Sequence, residues 1–281
     1  MILRGALSSP RLIPGLTTDA RGAHCWTVAV RPGISGRRQA RTGQFIFSTW
    51  GAGASSRAGG RVGPQGASLT NRIKTVIWDI MRIEKAKEIT GSLSKPSKMP
   101  GHAYGLPAKE CKTGGKLQNV KGSTCYGCYA LKGCYVFKVV QDAQYKRLKA
   151  IRHPLWVRAM AMQINSKKTK FFRWHDSGDI QDLKHLAKIF EVAKRSPDVQ
   201  HWLPTREAWT VKYQDRAPAN LKLIFSMPMV NQEAAGKFNY TSTVVTDPSK
   251  ATCPAPQQGN ECKDCRACWD KKVKNVAYLA H

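Results

Sequence analysis

The pattern of apolar and polar residues predicts alternating helices and strands from about residue 140 onward. Apolar side chains recur every three or four positions over 157–164 and over 183–194, which indicates two amphipathic helices, and a third helix is predicted over 141–150. Short apolar or aromatic runs predict four strands, over 170–174, 199–203, 221–227 and 242–246.

A strand, a helix and a further strand in this order favour a right-handed crossover between parallel strands. The predicted fold class is therefore α/β, with a parallel sheet that is either open or curled into a partial (β/α) barrel, and with cysteine-rich loops. Ligands bind such sheets at the carboxyl ends of the strands. We therefore expect the functional site at that edge.

Polar residues follow three of the predicted strands. The turn from His175 to Asp179 places two carboxylates, an imidazole and a hydroxyl around a glycine, and we predict catalytic roles for His175, Asp176 and Asp179. Cofactor contacts are predicted for other residues of this turn and of the next two strand ends, namely Ser177, Gly178, Thr205, Arg206, Glu207 and Ser226. The alternatives are helix capping by Ser177 or Asp179 and a solvated ion pair between Arg206 and Glu207.

Composition separates an N-terminal segment from the rest of the chain. Residues 1–70 contain nine arginines, no lysine, one acidic residue and 12 of the 23 glycines, without sustained periodicity. We expect residues 1–80 to be a disordered leader, such as a transit peptide, or translated DNA upstream of a true start near Met81. Residues 81–281 are expected to form a single α/β domain with a cysteine-rich module at about 250–281.

The chain is strongly basic, with a formal charge of +28, of which +19 lies in residues 81–281. Such a charge favours a polyanionic partner, above all nucleic acid. The alternative is a set of scattered, solvated side chains without a partner. No apolar run approaches the roughly 18 residues of a membrane span, so we expect no membrane association and a cytoplasmic location.

Eight of the nine cysteines form two groups of four. The first contains Cys111, Cys125, Cys128 and Cys134, and the second contains Cys253, Cys262, Cys265 and Cys268. Successive C-x-x-C-x-x-C spacing with a remote Cys253-Pro254 is typical of a four-iron cluster, whereas structural zinc usually takes two separate C-x-x-C pairs. The sequence therefore predicts one or two iron-sulfur clusters, with zinc as the alternative. Disulfides are not expected in a chain of this length without a signal peptide.

The stretch Cys125-Tyr126-Gly127-Cys128 followed by Tyr129-Ala130 resembles the end of the radical S-adenosylmethionine motif. The resemblance implies that three cysteines hold a four-iron cluster with one open iron, which binds S-adenosylmethionine and receives an electron from a donor. The third ligand would be Cys111, which is separated from Cys125 by thirteen residues, with Cys134 as the alternative. We expect Cys111, because Cys134 lies beyond the motif.

Longer motifs resemble the phage and prophage "gene product 88" family. They comprise Gly105-Leu106-Pro107-Ala108, Gly122 to Ala130, Arg173 to Asp179, Trp202 to Glu207 and Cys253-Pro254. The resemblance covers residues 81–281 and implies relatives and a shared core, but no substrate. Two classes of function follow. One is an iron-sulfur enzyme of radical type, with the second cysteine group as an auxiliary cluster, and the other is a zinc-stapled nucleic-acid-binding protein without catalytic activity.

Overall fold

The computed structural model describes residues 82–280, so the predictions for the leader fall outside the described residues. Its first helix is α1 (82–90). The later α-helices of this range are α2 (Lys112–Leu117), α3 (Lys138–Ala150), α4 (Trp156–Asn165) and α5 (Leu183–Lys194). Short 3-10 helices occupy Ala108–Glu110, Tyr129–Leu131, Gly133–Val136, Ala208–Arg216, Pro248–Lys250 and Ala255–Gln258.

One sheet contains six parallel strands, and their order in space is their order along the chain. The strands are β1 (His102–Tyr104), β2 (Phe171–Trp174), β3 (Gln200–Thr205), β4 (Leu221–Val230), β5 (Thr241–Val245) and β6 (Asn275–Leu279). The predicted α/β class and parallel sheet are confirmed, and the sheet is not closed. Two strands were not predicted, because β1 has only three residues and β6 directly follows the cysteine-rich stretch.

One side of the sheet, here called the helix face, packs against α4 and α5. Phe172 and Trp174 of β2 and Leu203 of β3 belong to this face and share a core with Trp156 and Ile189 of the helices. These side chains alternate with those of the other side, as the pleat of a strand requires. Without a reversal of strand order, right-handed crossovers all lie on the same side. α4 and α5 therefore cover only one side of the sheet, and a different segment covers the other side.

The opposite side, here called the inner face, is covered by the segment that carries the second cysteine group. Trp269 of this segment stacks edge-on against Trp202 of β3 at 5.3 Å between ring centroids, and its Nε1 donates to the Phe172 carbonyl at 3.0 Å. The buried Lys222 of β4 donates to the carbonyls of Ala267 (2.8 Å) and Asp270 (2.7 Å). These contacts fix the segment 253–270 across several strands.

The sheet curls around the inner face. Arg173 on β2 and Tyr278 on β6 interact electrostatically, although four strand spacings separate β2 from β6, or about 19 Å in a flat sheet. Side chains that stand perpendicular to a flat sheet could not approach across that distance. The sheet is thus open, as one predicted alternative states, and it is also curved, as in a partial barrel. Side chains from distant strands can therefore approach one another on its inner face.

Candidate functional site at the carboxyl edge of the sheet

The first cysteine group lies on the loops that follow β1. Cys111 separates the 3-10 helix Ala108–Glu110 from α2, and Cys128 immediately precedes the 3-10 helix Tyr129–Leu131. Hydrogen bonds tie this loop to the end of β4, since the Thr124 amide donates to the Pro228 carbonyl at 2.8 Å and the Val230 amide donates to the Gly122 carbonyl at 2.9 Å. The thiols therefore lie over the carboxyl edge of the sheet.

Three thiols of this group lie near one another. Cys111, Cys125 and Cys128 are free and half-buried. Burial raises the pKa of Cys111, and so do Asp179, the thiols of Cys128 and Cys125, and Glu207. A Cβ placed on Gly114 would lie 3.6 Å from Cys125 Sγ and 3.7 Å from Cys111 Sγ, so both sulfurs lie beside the same position of α2. Cys134 is also half-buried, rather than part of the core.

Arg206 connects this loop to the sheet. Its Nε donates to Cys125 Sγ at 3.2 Å, and its Nη1 donates to the carbonyls of Ser226 (2.7 Å) and Met227 (2.6 Å). Glu207 is buried and accepts from the Thr113 amide and from Trp209 Nε1, each at 3.0 Å. The alternative of a solvated Arg206–Glu207 ion pair is therefore wrong, because each side chain has its own partners.

Asp179 joins the ends of β2 and β3. Its Oδ1 accepts from the Thr205 hydroxyl and the Ile180 amide, both at 2.7 Å, and its Oδ2 accepts from the Arg206 amide at 2.8 Å. Burial raises the pKa of Asp179 to about 6, although these hydrogen bonds oppose the shift. The cap of α5 is Asp182, which accepts from the His185 amide, so the predicted capping by Ser177 or Asp179 is wrong.

The other residues of the turn have different surroundings. His175 is buried with a left-handed φ of 53°, and its ring lies 5.4 Å from that of His185 in the helix-side core. Neither ring nitrogen has a hydrogen-bond partner among the described residues, and burial holds the pKa of His175 well below its usual value. The structure therefore places this imidazole in the helix layer, whereas Asp179 lies near Cys111 of the segment 111–128, here called the thiol loop.

Ser177 and Gly178 hold β1 and β2 together at their carboxyl ends. The Ser177 hydroxyl donates to the Leu106 carbonyl at 2.7 Å and accepts from Gln144 Nε2 at 2.8 Å. Gly178 has a φ of 75°, and a Cβ there would lie 2.6 Å from Leu106 Cβ. These contacts give Ser177 and Gly178 a structural role in holding the two strand ends together. Their predicted contact with a cofactor stays a prediction, as does that of Ser226, whose hydroxyl accepts from the Ser242 hydroxyl at 3.0 Å.

The second cysteine group lies on the inner face. Cys253, Cys262, Cys265 and Cys268 are free, and burial raises the pKa of Cys268 to about 11. The Cys262 amide donates to the Lys98 carbonyl at 2.9 Å, and Cys268 Sγ lies 3.1 Å from the Tyr278 hydroxyl. Neighbouring thiols contribute to the raised pKa of Cys262, since Cys253 and Cys265 both lie within electrostatic range. The four residues therefore gather in one region, as their spacing predicts.

Neither group of cysteines is closed around one point. Within residues 82–280, no set of three or more His, Cys, Asp or Glu side chains forms a group that could hold a metal ion. The thiols of Cys125 and Cys128 nevertheless influence the pKa of Cys111, and those of Cys253 and Cys265 influence the pKa of Cys262.

Arg173 was not predicted as a site residue. It lies on the inner face of β2 between Phe172 and Trp174, and its guanidinium is 4.5 Å from the centre of the Trp202 ring. Tyr129, Tyr135 and Tyr278 surround it from three different segments. The sequence does show a charged residue within an otherwise aromatic strand, and this could have marked Arg173 as a candidate. The residues that surround Arg173 can be identified only from the curvature of the sheet.

The described helices include none that is both long and apolar enough to cross a membrane. No curated protein and no solved structure matches the chain. The sequence pattern that defines the gene product 88 family matches residues 78–271, which span the first five strands of the sheet, the thiol loop after β1 and all four cysteines of the second group. The match covers more than half of the chain and the motifs that carried the resemblance. The chain therefore belongs to the gene product 88 family.

Proposed function

We propose that this protein is an iron-sulfur enzyme of radical S-adenosylmethionine type, with a four-iron cluster held by Cys111, Cys125 and Cys128. The observation that supports it is the position of these three free thiols, on the loop after β1 and over the ends of β3 and β4. The carboxyl edge of a parallel sheet is where such folds bind ligands. Its substrate is not specified by this placement.

The donor set fits an iron-sulfur cluster. Thiolates are the ligands that such clusters take, and Cys111, Cys125 and Cys128 all lie outside the α-helices.

The surrounding residues have roles that follow from their contacts. Arg206 donates to Cys125 Sγ and would hold this ligand in place. A hydrogen bond to a sulfur of the cluster would also adjust the reduction potential of the cluster. Asp179 holds Thr205 and the Arg206 backbone in place, so it acts as a positioning residue. When bound, the cluster would supply an electron, received from a donor protein, to S-adenosylmethionine.

The second cysteine group is proposed to hold an auxiliary iron-sulfur cluster, with zinc as the alternative. Its loop packs across the inner face through Trp269 and Lys222, so metal binding there would be coupled to the stability of the sheet. The group contains four thiols, which can saturate a cluster and leave no open iron. We therefore assign small-molecule chemistry to the first group alone.

The competing function is a zinc-stapled protein that binds nucleic acid. The feature that favours it is an exposed aromatic residue beside the thiols, Tyr126 (58% exposed), in a chain with a charge of +28. Phosphate contacts would then come from the many exposed lysines. Closed zinc sites in both groups would leave no position for a substrate.

Anaerobic purification followed by iron, acid-labile sulfide and zinc analysis separates these functions. The radical-type enzyme should contain iron and sulfide, and its reduced paramagnetic resonance spectrum should change when S-adenosylmethionine is added. Cys265→Ser should remove the metal of the second group and leave that spectral response in place. Two zinc ions without sulfide would contradict the proposal and favour the nucleic-acid-binding protein.

A further inference from the structure

Arg173 lies between the two cysteine groups. Its neighbours on the side of the first group are Tyr129, Asp176 and Tyr135, and Tyr278 approaches from β6. Cys262 and Cys268 of the second group also lie within electrostatic range of its guanidinium. One positive side chain is therefore shared by both cysteine-bearing segments and by the inner face of the sheet.

The protein uses only part of the hydrogen-bonding capacity of Arg173, through a bond from the guanidinium to the Tyr129 hydroxyl oxygen. Its Nε is buried without a hydrogen-bond partner, and no ion pair between described residues includes it. The Tyr129 hydroxyl donates to the Asp176 carbonyl at 2.5 Å and leaves its oxygen as an acceptor near the guanidinium. A guanidinium has five N–H donors, and desolvating them without acceptors is costly.

Two other arginines of the domain show what a structural role looks like. Arg147 donates to the carbonyls of Ser92 (3.0 Å) and Gly105 (3.3 Å). Arg206 donates to two carbonyls and a thiol. Both hold separate segments together through several hydrogen bonds, whereas Arg173 stacks on the Trp202 ring and has one recorded side-chain hydrogen bond, to Tyr129. Stacking on an aromatic ring orients a guanidinium but leaves its N–H edges free for another acceptor.

Asp176 is a second group at this place that is only partly paired, through a hydrogen bond between its carboxylate and the Tyr135 hydroxyl. Its Oδ1 is buried and accepts no hydrogen bond from a described residue. Tyr129, whose hydroxyl contacts the Asp176 backbone, is 59% exposed, and the side chains of Arg173 and Asp176 are half-buried rather than part of the closed core. An unused guanidinium N–H and an unused carboxylate oxygen thus lie close together on side chains that are not fully enclosed.

We infer that Arg173 binds an oxyanion, either a carboxylate or a phosphate, of the molecule on which this site acts. The planar fork of a guanidinium matches both groups with two parallel hydrogen bonds. Asp176 favours a ligand that also carries an N–H or O–H donor near that oxyanion. The assignment of this ligand as substrate rests on the proposed iron-sulfur enzyme, whereas anion binding at Arg173 does not.

Isothermal titration calorimetry on the anaerobically purified full chain tests the inference, with iron and sulfide measured for every sample. The probes are inorganic phosphate, acetate and, as a neutral counterpart of acetate, acetamide. We expect phosphate or acetate to bind at about one ion per chain and acetamide not to bind. Phosphate alone would indicate a phosphorylated ligand, and acetate alone a carboxylic acid.

Arg173→Gln should weaken that binding at least about tenfold, because it removes the charge-assisted hydrogen bonds. Arg158→Gln is the matched control, since Arg158 is an exposed arginine on α4 and its loss changes the net charge equally. Arg173→Lys keeps the charge but not the fork, and should bind with intermediate affinity even if Arg173→Gln proves unstable. Equal binding by wild type and either Arg173 variant would overturn the inference. Loss of iron with anion binding intact would instead count against the proposed function alone.

Discussion

The Arg206 guanidinium donates a hydrogen bond to Cys125 Sγ at 3.2 Å and so connects the end of β3 to the loop that follows β1. The same side chain donates to two carbonyls at the end of β4. One residue thereby positions a candidate metal ligand against two strands. This arrangement explains why residues 81 positions apart in the sequence belong to one site.

Replacing Arg206 should impair the first cysteine group. Arg206→Gln removes a hydrogen bond to a sulfur and at least one bond to a carbonyl, and we expect a loss of about 1–3 kcal/mol in the free energy of unfolding. We also expect faster loss of iron from the purified protein. Denaturant unfolding and iron analysis over time measure both effects. Arg195→Gln, which removes an exposed arginine paired with Glu191, should change the free energy of unfolding by less than about 1 kcal/mol.

The identity of the third ligand can be decided with two serine variants. Cys111→Ser should abolish the first cluster, because Cys111 lies with Cys125 and Cys128 over the sheet edge. Cys134→Ser should retain iron and the spectral response to S-adenosylmethionine. Iron and sulfide per chain, with paramagnetic resonance of the reduced protein, provide the measurement. A cluster that survives in Cys111→Ser and disappears in Cys134→Ser would identify Cys134 as the ligand.

Acid should destabilise the helix face through its buried histidines. Burial lowers the pKa of His201 from its usual 6.5 to about 3, and the ring is neutral, packed on Trp174 and hydrogen-bonded to the Ser196 hydroxyl at 2.9 Å. Its contribution to stability is therefore complete above pH 6.5 and is lost as pH falls towards 3, by about 1.4 kcal/mol per pH unit.

Chemical unfolding at several pH values between 7 and 4.5 measures this dependence. His201→Gln should be less stable than wild type at pH 7, because packing is lost, but its stability should fall less steeply with acid. The exposed His153 provides the control, and His153→Gln should keep the slope of the wild type. Identical slopes for His201→Gln and wild type would show that His201 does not titrate with unfolding.

A chain that begins at Met81 is expected to fold and to bind as much metal as the full chain. The family match begins at residue 78, and every strand of the described sheet lies after residue 101. Circular dichroism, thermal unfolding and iron analysis of the two proteins compare them directly. A shortened protein that precipitates or loses iron would show that the leader contributes to the domain.

The local sequence pattern determined most of the elements that build this domain. The helical period of 183–194 matches α5, and the strands predicted over 170–174 and 221–227 lie in β2 and β4. Short-range physics is sufficient there, because side-chain periodicity reports which face of an element is buried. The cysteine spacings likewise indicated two groups, since neighbours in the sequence remain neighbours in space.

The tertiary structure alone decided which distant residues meet. The predicted turn divides, with Asp179 bonded to Thr205 and Arg206 and with His175 buried beside His185 in the helix layer. The surroundings of Arg173 likewise depend on the curvature of the sheet, which brings Tyr278 of β6 towards it. Contacts of this kind depend on the geometry of the crossovers and on the curvature of the sheet. Both are properties of the whole domain, so the local periodicity of apolar residues does not predict them.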